Sequence, residues 1–109
     1  MKLIIAIVQD KDSHILGNEF SEADIRATRL STTGGFLRAG NTTFLIGIED
    51  ERVQEVLDLI KDNCQAREQF SAPPIHLDSA IDTSISFPIP VTVGGATVFV
   101  LPIDEAHRF

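Results

Sequence analysis

The chain has one cysteine, few basic residues and no long apolar run, and each shortage excludes something. Cys64 alone cannot close an internal disulfide, so nothing points to an oxidising compartment. The longest apolar run, residues 3–8, is far shorter than the ~20 residues of a membrane-spanning helix. It also starts too early for a charged segment and a cleavage site to precede it. A cytoplasmic protein without membrane insertion is expected. Lys and Arg number 9 against 16 Asp and Glu, a net charge of −7, which argues against a surface that tracks DNA or RNA phosphates. A small nucleotide held in a pocket of local opposite sign stays open.

Catalytic and metal patterns are lacking too. His14, His76 and His107 are scattered and form no His-x-x-x-His, and there is no Cys-x-x-Cys, so no metal site is expected. No Ser or Cys has the context of an activated nucleophile, and no pair of acids has a spacing that demands acid–base work. The chain reads as a binding protein, not an enzyme, with no cofactor. Cys64, near the end of a helix, reads as a small buried residue.

What is present is one domain of 109 residues, large enough for a core and small enough that oligomerisation would help to bury surface. Residues 3–8 read as a central strand buried on both faces. Ile15, Leu16, Phe20 and Ala23 sit at helical spacing over residues 11–23, with Asp10 or Asp12 as N-cap and Gly17 as a weak point. Residues 25–31 and 41–48 read as strands. Asp50 suits the N-cap of a helix whose buried face is Val53, Val56, Leu57 and Ile60. Residues 66–84, with Pro73-Pro74 and no period, read as a long loop. Alternation of Ile85, Phe87, Ile89, Val91 and Val93 with polar residues and prolines predicts a strand. Gly94-Gly95 predicts a two-residue hairpin to a return strand over 96–101, with Val93 opposite Ala96. The order β-α-β-β-α-β with an added hairpin strand predicts a ferredoxin-like α+β fold. By analogy with that fold, the sheet face not covered by helices is expected to be buried in a trimer.

Residues 26–47, RATRLSTTGGFLRAGNTTFLIG, carry most of the functional signal. Gly34, Gly35 and Gly40 let backbone N–H groups approach a ligand, yet no Gly-Lys-Ser/Thr follows and G-x-G-x-x-G is absent, so neither a Walker A loop nor a Rossmann turn is read. An ordinary glycine-containing connection explains the spacing equally well. Phe36-Leu37 either covers a base or plugs a subunit interface. Asn41 suits an adenine edge, but spacing alone favours a turn residue that opens the third strand. Arg26, Arg29, Arg38 and Thr28 could meet phosphate, or the arginines could pair with Glu22, Asp24 or Asp50. Arg26 and Thr28 share one strand face, and Arg29 points to the other.

The segments MKLIIAIVQDKD, RATRLSTTGGFLRAGNTTFLIGI, AREQ at 66–69 and VTVGGATVFVLPIDEAHRF resemble the PstA-type P-II-like cyclic di-AMP receptors over nearly the whole chain, thinning at 13–24 and 70–85. The resemblance implies a single P-II-like domain over 1–109, forming a homotrimeric cytoplasmic signalling protein that binds this bacterial second messenger between neighbouring subunits. It implies a pocket lined by Arg26, Thr28, Gly35, Phe36, Leu37, Asn41 and Gly47, with Phe99. In it Phe36-Leu37 packs on adenine, Asn41 reads an adenine edge, Arg26 and Thr28 meet ribose–phosphate, and Gly47 admits the ligand to the strand backbone. The 66–84 segment is implied to be mobile and to respond to ligand or to an unknown downstream protein. Two positions depart from the family pattern: Asp24, where Asn is usual, and Arg108, where Gln is expected. A carboxylate near an anionic ligand weakens binding unless Arg26 or Arg108 compensates. Two other readings compete with this one. They are a P-II-type sensor of ATP or another adenine nucleotide, and a trimeric adaptor without a nucleotide ligand.

Overall fold

The structure, a computed structural model, describes residues 1–31, 40–71 and 89–109. Its elements run β1 (Lys2–Gln9), α1 (Asp10–Glu22), β2 (Ala27–Ser31), β3 (Asn41–Ile48), a 3₁₀ turn (Asp50–Arg52), α2 (Val53–Cys64), β4 (Arg67–Ser71), β5 (Ile89–Val93) and β6 (Ala96–Pro102). Strands β2-β3-β1-β6 form one antiparallel sheet and β4-β5 a separate two-stranded one. With the β4–β5 pair set aside, the order is that of a ferredoxin-like fold, built as a small P-II-like α+β domain.

Strand β1 sits in the middle because both of its faces are apolar. Ile4, Ala6 and Val8 turn to the helices and are buried, while Leu3, Ile5 and Ile7 turn to the open face and are half-buried. The core lies between the sheet and the two helices, where Leu16 and Phe20 of α1 and Val56, Ile60 and Cys64 of α2 meet Phe44, Ile46 and Ile48 of β3. Phe20 meets Phe44 edge to face, with ring centroids 5.5 Å apart. Val53 and Leu57 are half-buried on the same side of α2, as their spacing predicts. Ile15 does not join the core: it is 54% exposed, one position out of phase with Leu16 and Phe20.

The helix ends differ from the expected caps. Gln9 is the N-cap of α1 and makes no side-chain cap; Asp10 Oδ1 instead accepts the Thr42 hydroxyl. Asp50 pairs with the Met1 amine at 2.8 Å rather than capping, and a 3₁₀ turn precedes α2. Helix α1 ends in a Schellman arrangement, with Ile25 N–H donating to Phe20 O and Asp24 N–H to Ser21 O. Asp24 holds the left-handed position with φ of 58°. Arg52 donates to the carbonyls of Ala23, the C-cap of α1, and of Asp24 just beyond it.

The predicted β5–β6 hairpin does not form. Gly94 and Gly95 have positive φ of 79° and 96°, but their N–H groups go to Gln9 Oε1 and Cys64 O, so the chain turns from one sheet into the other. Strand β5 pairs with β4, placing Val93 opposite Arg67, and β6 pairs with β1, placing Ala96 opposite Val8. Strand β4 also occupies residues read as the start of a long loop. The rest of that predicted loop, 72–84, lies outside the described residues, as does the 85–88 part of the predicted strand.

Candidate functional site

Strand parity puts Thr28 (β2), Gly47 (β3) and Phe99 (β6) on the sheet face opposite the helices. Registers align Thr28, Leu45, Ile5 and Phe99 as one cross-strand row, and Gly47, Leu3 and Leu101 as part of the next. Three strand spacings put Thr28 and Phe99 about 14 Å apart. This face is largely apolar and, among the described residues, uncovered: Phe99 is 51% exposed, Leu101 43% and Leu30 41%. Arg26, just before β2, and Thr28 are exposed. Asn41 opens β3 and is half-buried. Six residues along the same strand separate it from Gly47, about 20 Å. Gly35, Phe36 and Leu37 lie outside the described residues. One chain therefore does not gather the whole predicted set around one small molecule, since Asn41 and Gly47 mark opposite ends of β3.

Gly47 has no conformational reason to be glycine. Its φ is not in the left-handed range, and among the described residues a Cβ built there meets nothing nearer than Met1 Cε at 3.8 Å and Ile103 Cδ1 at 3.9 Å. Gly17 contrasts with it, because a Cβ there would lie 2.7 Å from Arg29 Nη2. Arg29 crosses α1 at that point, donates to Ser13 O at 2.8 Å and lies over the Phe44 ring, 5.4 Å from its centroid. It faces the helices, as its parity predicts, and is thereby engaged away from the phosphate role considered for it.

A second cluster lies where β1 and β3 meet the Gly94-Gly95 turn, and residue patterns did not reveal it. A notch of about 340 Å³ is lined by Ile7, Val8, Gln9, Asn41 and residues 94–97. Gln9 is the register partner of Asn41 and accepts Gly94 N–H at 2.8 Å. Beside it Asp12, 4% exposed, accepts Arg67 Nη2 on Oδ1 at 2.9 Å. The Asp12 hydrogen bond raises the Arg67 pKa. Cys64 is fully buried, and burial, followed by the Asp12 carboxylate, pushes its thiol up to about 11, so it stays protonated and unreactive at neutral pH. From residue patterns Asp12 carried a signal only as a possible N-cap and Arg67 only as a loop residue, although Gln9, Asp12 and Arg67 all lie in segments that carry the family resemblance.

The family model of the cyclic-di-AMP receptor matches residues 1–109. The chain belongs to the cyclic-di-AMP receptor family. It is also similar to a solved structure of a functionally unknown protein from Pediococcus pentosaceus, at 55% identity. That match covers 99% of this chain and 96% of the other, with a TM-score of 0.78. Family membership supports cyclic di-AMP as the ligand and a receptor rather than a catalytic role. No helix among the described residues is long and apolar enough to cross a membrane.

Proposed function

We propose that this receptor-family chain is a homotrimeric, non-enzymatic cytoplasmic signalling protein. It binds cyclic di-AMP between neighbouring subunits and alters a loop to signal to a downstream protein. The observation that carries this reading is the open sheet face, where an apolar surface holds Thr28, Gly47 and Phe99 with no cover from the chain's own helices. A second copy of the chain supplies that cover and brings the far end of its own β3 toward the same ligand, which accounts for the distance between Asn41 and Gly47. In this assembly Arg26 and Thr28 meet ribose–phosphate, Phe36 and Leu37 pack on adenine, Asn41 reads an adenine edge, and Gly35 and Gly47 admit the ligand to backbone. Phe99 lines the same space.

Asp24 and Arg108 are both exposed, so each can act on the ligand's charge. Titration calorimetry with cyclic di-AMP, cyclic di-GMP and ATP tests the ligand, and sedimentation velocity tests the trimer. Selective heat with cyclic di-AMP on a trimer is expected. Tight ATP binding without a cyclic di-AMP response would overturn the reading in favour of an ATP sensor, and silence with all three in favour of an adaptor.

A further inference from the structure

The β4–β5 hairpin is tied to the domain at its root. Among the described residues, no core side chain belongs to either of its strands. Among the described residues three hydrogen bonds tie that root to the rest of the domain. Gly94 N–H donates to Gln9 Oε1 at 2.8 Å, Gly95 N–H donates to Cys64 O, and Arg67 Nη2 donates to Asp12 Oδ1 at 2.9 Å. The third contact differs in kind from the other two. Asp12 lies in the first turn of α1 and is 4% exposed, and its Oδ2 has no hydrogen-bond partner among the described residues. Arg67 is the first residue of β4 and is 40% exposed on its side chain, so the cation belongs to the hairpin and the anion to the domain. Gly94 closes the seat. A Cβ there would lie 2.5 Å from Arg67 Nη1, 2.8 Å from Gln65 O and 3.3 Å from Asp12 Oδ2.

We infer that Asp12 and Arg67 are a positioning pair that holds the hairpin root against the end of the sheet carrying Gln9 and Asn41. A buried carboxylate with one oxygen unsatisfied is held at a cost, and loss of its cation raises that cost sharply. Docking of the root is therefore favoured, while the half-satisfied pair keeps it reversible. Released, the hairpin takes its cation with it and also gives up the Gln9–Gly94 bond. Gln9 is the register partner of Asn41, so the root lies one cross-strand pair from a proposed ligand contact. Occupation of Asn41 can thus shift the docked fraction, a link that rests on the proposed function.

Hydrogen exchange on the full chain without ligand tests the pair. Asp12→Asn and Arg67→Met should each raise exchange of the β4–β5 ladder amides at least tenfold, leaving β1 and β3 unchanged, and the double variant should add nothing to either single. An unchanged ladder in Arg67→Met, an equal rise in β1 and β3, or a double variant equal to the product of the singles would each overturn the inference. Adding cyclic di-AMP should change ladder exchange in the wild type and not in Asp12→Asn; an equal ligand response in both would refute the link to Asn41. If calorimetry shows no cyclic di-AMP binding, the functional reading fails, while the ligand-free comparison still decides the positioning pair.

Discussion

Gly47→Ala separates folding from ligand contact by a single methyl group. Glycine in the interior of a strand is destabilising by about 0.5–1 kcal/mol relative to alanine. Among the described residues nothing asks for glycine here, since the new Cβ would rest at ordinary contact distance from Met1 Cε and Ile103 Cδ1, at 3.8 and 3.9 Å. The ligand-free protein should gain that energy, a rise in Tm of about 2–6 °C at this chain length. If a ligand packs directly on the Gly47 backbone, the methyl overfills that contact by about 1–3 kcal/mol, a loss of roughly 5- to 150-fold in affinity for cyclic di-AMP. Thermal melting at fixed concentration gives the first quantity, titration calorimetry the second, and sedimentation velocity checks that the assembly survives. A stabilised protein with unchanged affinity would refute the reasoning, because the glycine would then have neither an internal nor an external cause.

Gly17→Ala should behave in the opposite way. It gains about 1 kcal/mol of helix propensity but displaces Arg29 from Ser13 O and Phe44, and a charged hydrogen bond and a cation–π contact together outweigh that gain even after allowance for exposure. Urea unfolding should show a net loss of up to about 1 kcal/mol, turning to a gain of about 1 kcal/mol in an Arg29→Ala background; a gain in both backgrounds contradicts the account. Asp24→Asn keeps a side chain suited to the left-handed position and removes a carboxylate from the negative end of α1, for about 0.3–1 kcal/mol of stability. The same change should tighten cyclic di-AMP binding in calorimetry, and unchanged affinity would place Asp24 away from the ligand. Cys64 predicts an alkaline loss of stability. Its thiol is held to about 11 in the fold against 9.0 ordinarily, so above pH 9 only the unfolded chain loses the proton, and stability falls until pH reaches about 11. Urea midpoints at pH 8 and pH 10.5 should therefore fall further for the wild type than for Cys64→Ala, and equal falls would show that the thiol is not the cause.

Much of the fold was legible because its strands and helices carry strong local patterns. The two apolar faces of residues 3–8 predict a central strand buried on both sides, of which the fold buries the helix-facing side and leaves the other half-buried, and β3 runs over residues 41–48 as predicted. The error at Gly94-Gly95 has a clear physical source. Two glycines after an alternating run satisfy every local requirement of a hairpin, yet positive φ at both positions serves equally well to carry a chain between sheets. What decides is where their N–H groups go, and both acceptors, Gln9 Oε1 and Cys64 O, are remote in sequence. Strand β4 was hidden for a related reason. Arg67–Ser71 has no hydrophobic period, and its extended form follows from pairing with β5.

The candidate site divides along the same line. Thr28 was given a strand face, shared with Arg26, because strand parity is a short-range property, and Gly47 and Phe99 join it only through the strand registers. Arg29 was given its face for the same reason, but its engagement with Ser13 and Phe44 depends on α1 crossing β3, which no spacing reports. The Asp12–Arg67 pair lies further still from any local signal, joining a helix start to a strand 55 positions away. Long-range polar contacts of this kind leave little trace in composition or periodicity, whereas glycines leave one that can be interrogated. Gly17 is explained by Arg29, Gly94 by Arg67 and Gln65, and Gly47 by nothing among the described residues. A glycine whose backbone angles and described neighbours would all accept a side chain points outward, and on β3 outward is the open sheet face on which the proposed subunit contact and ligand site rest.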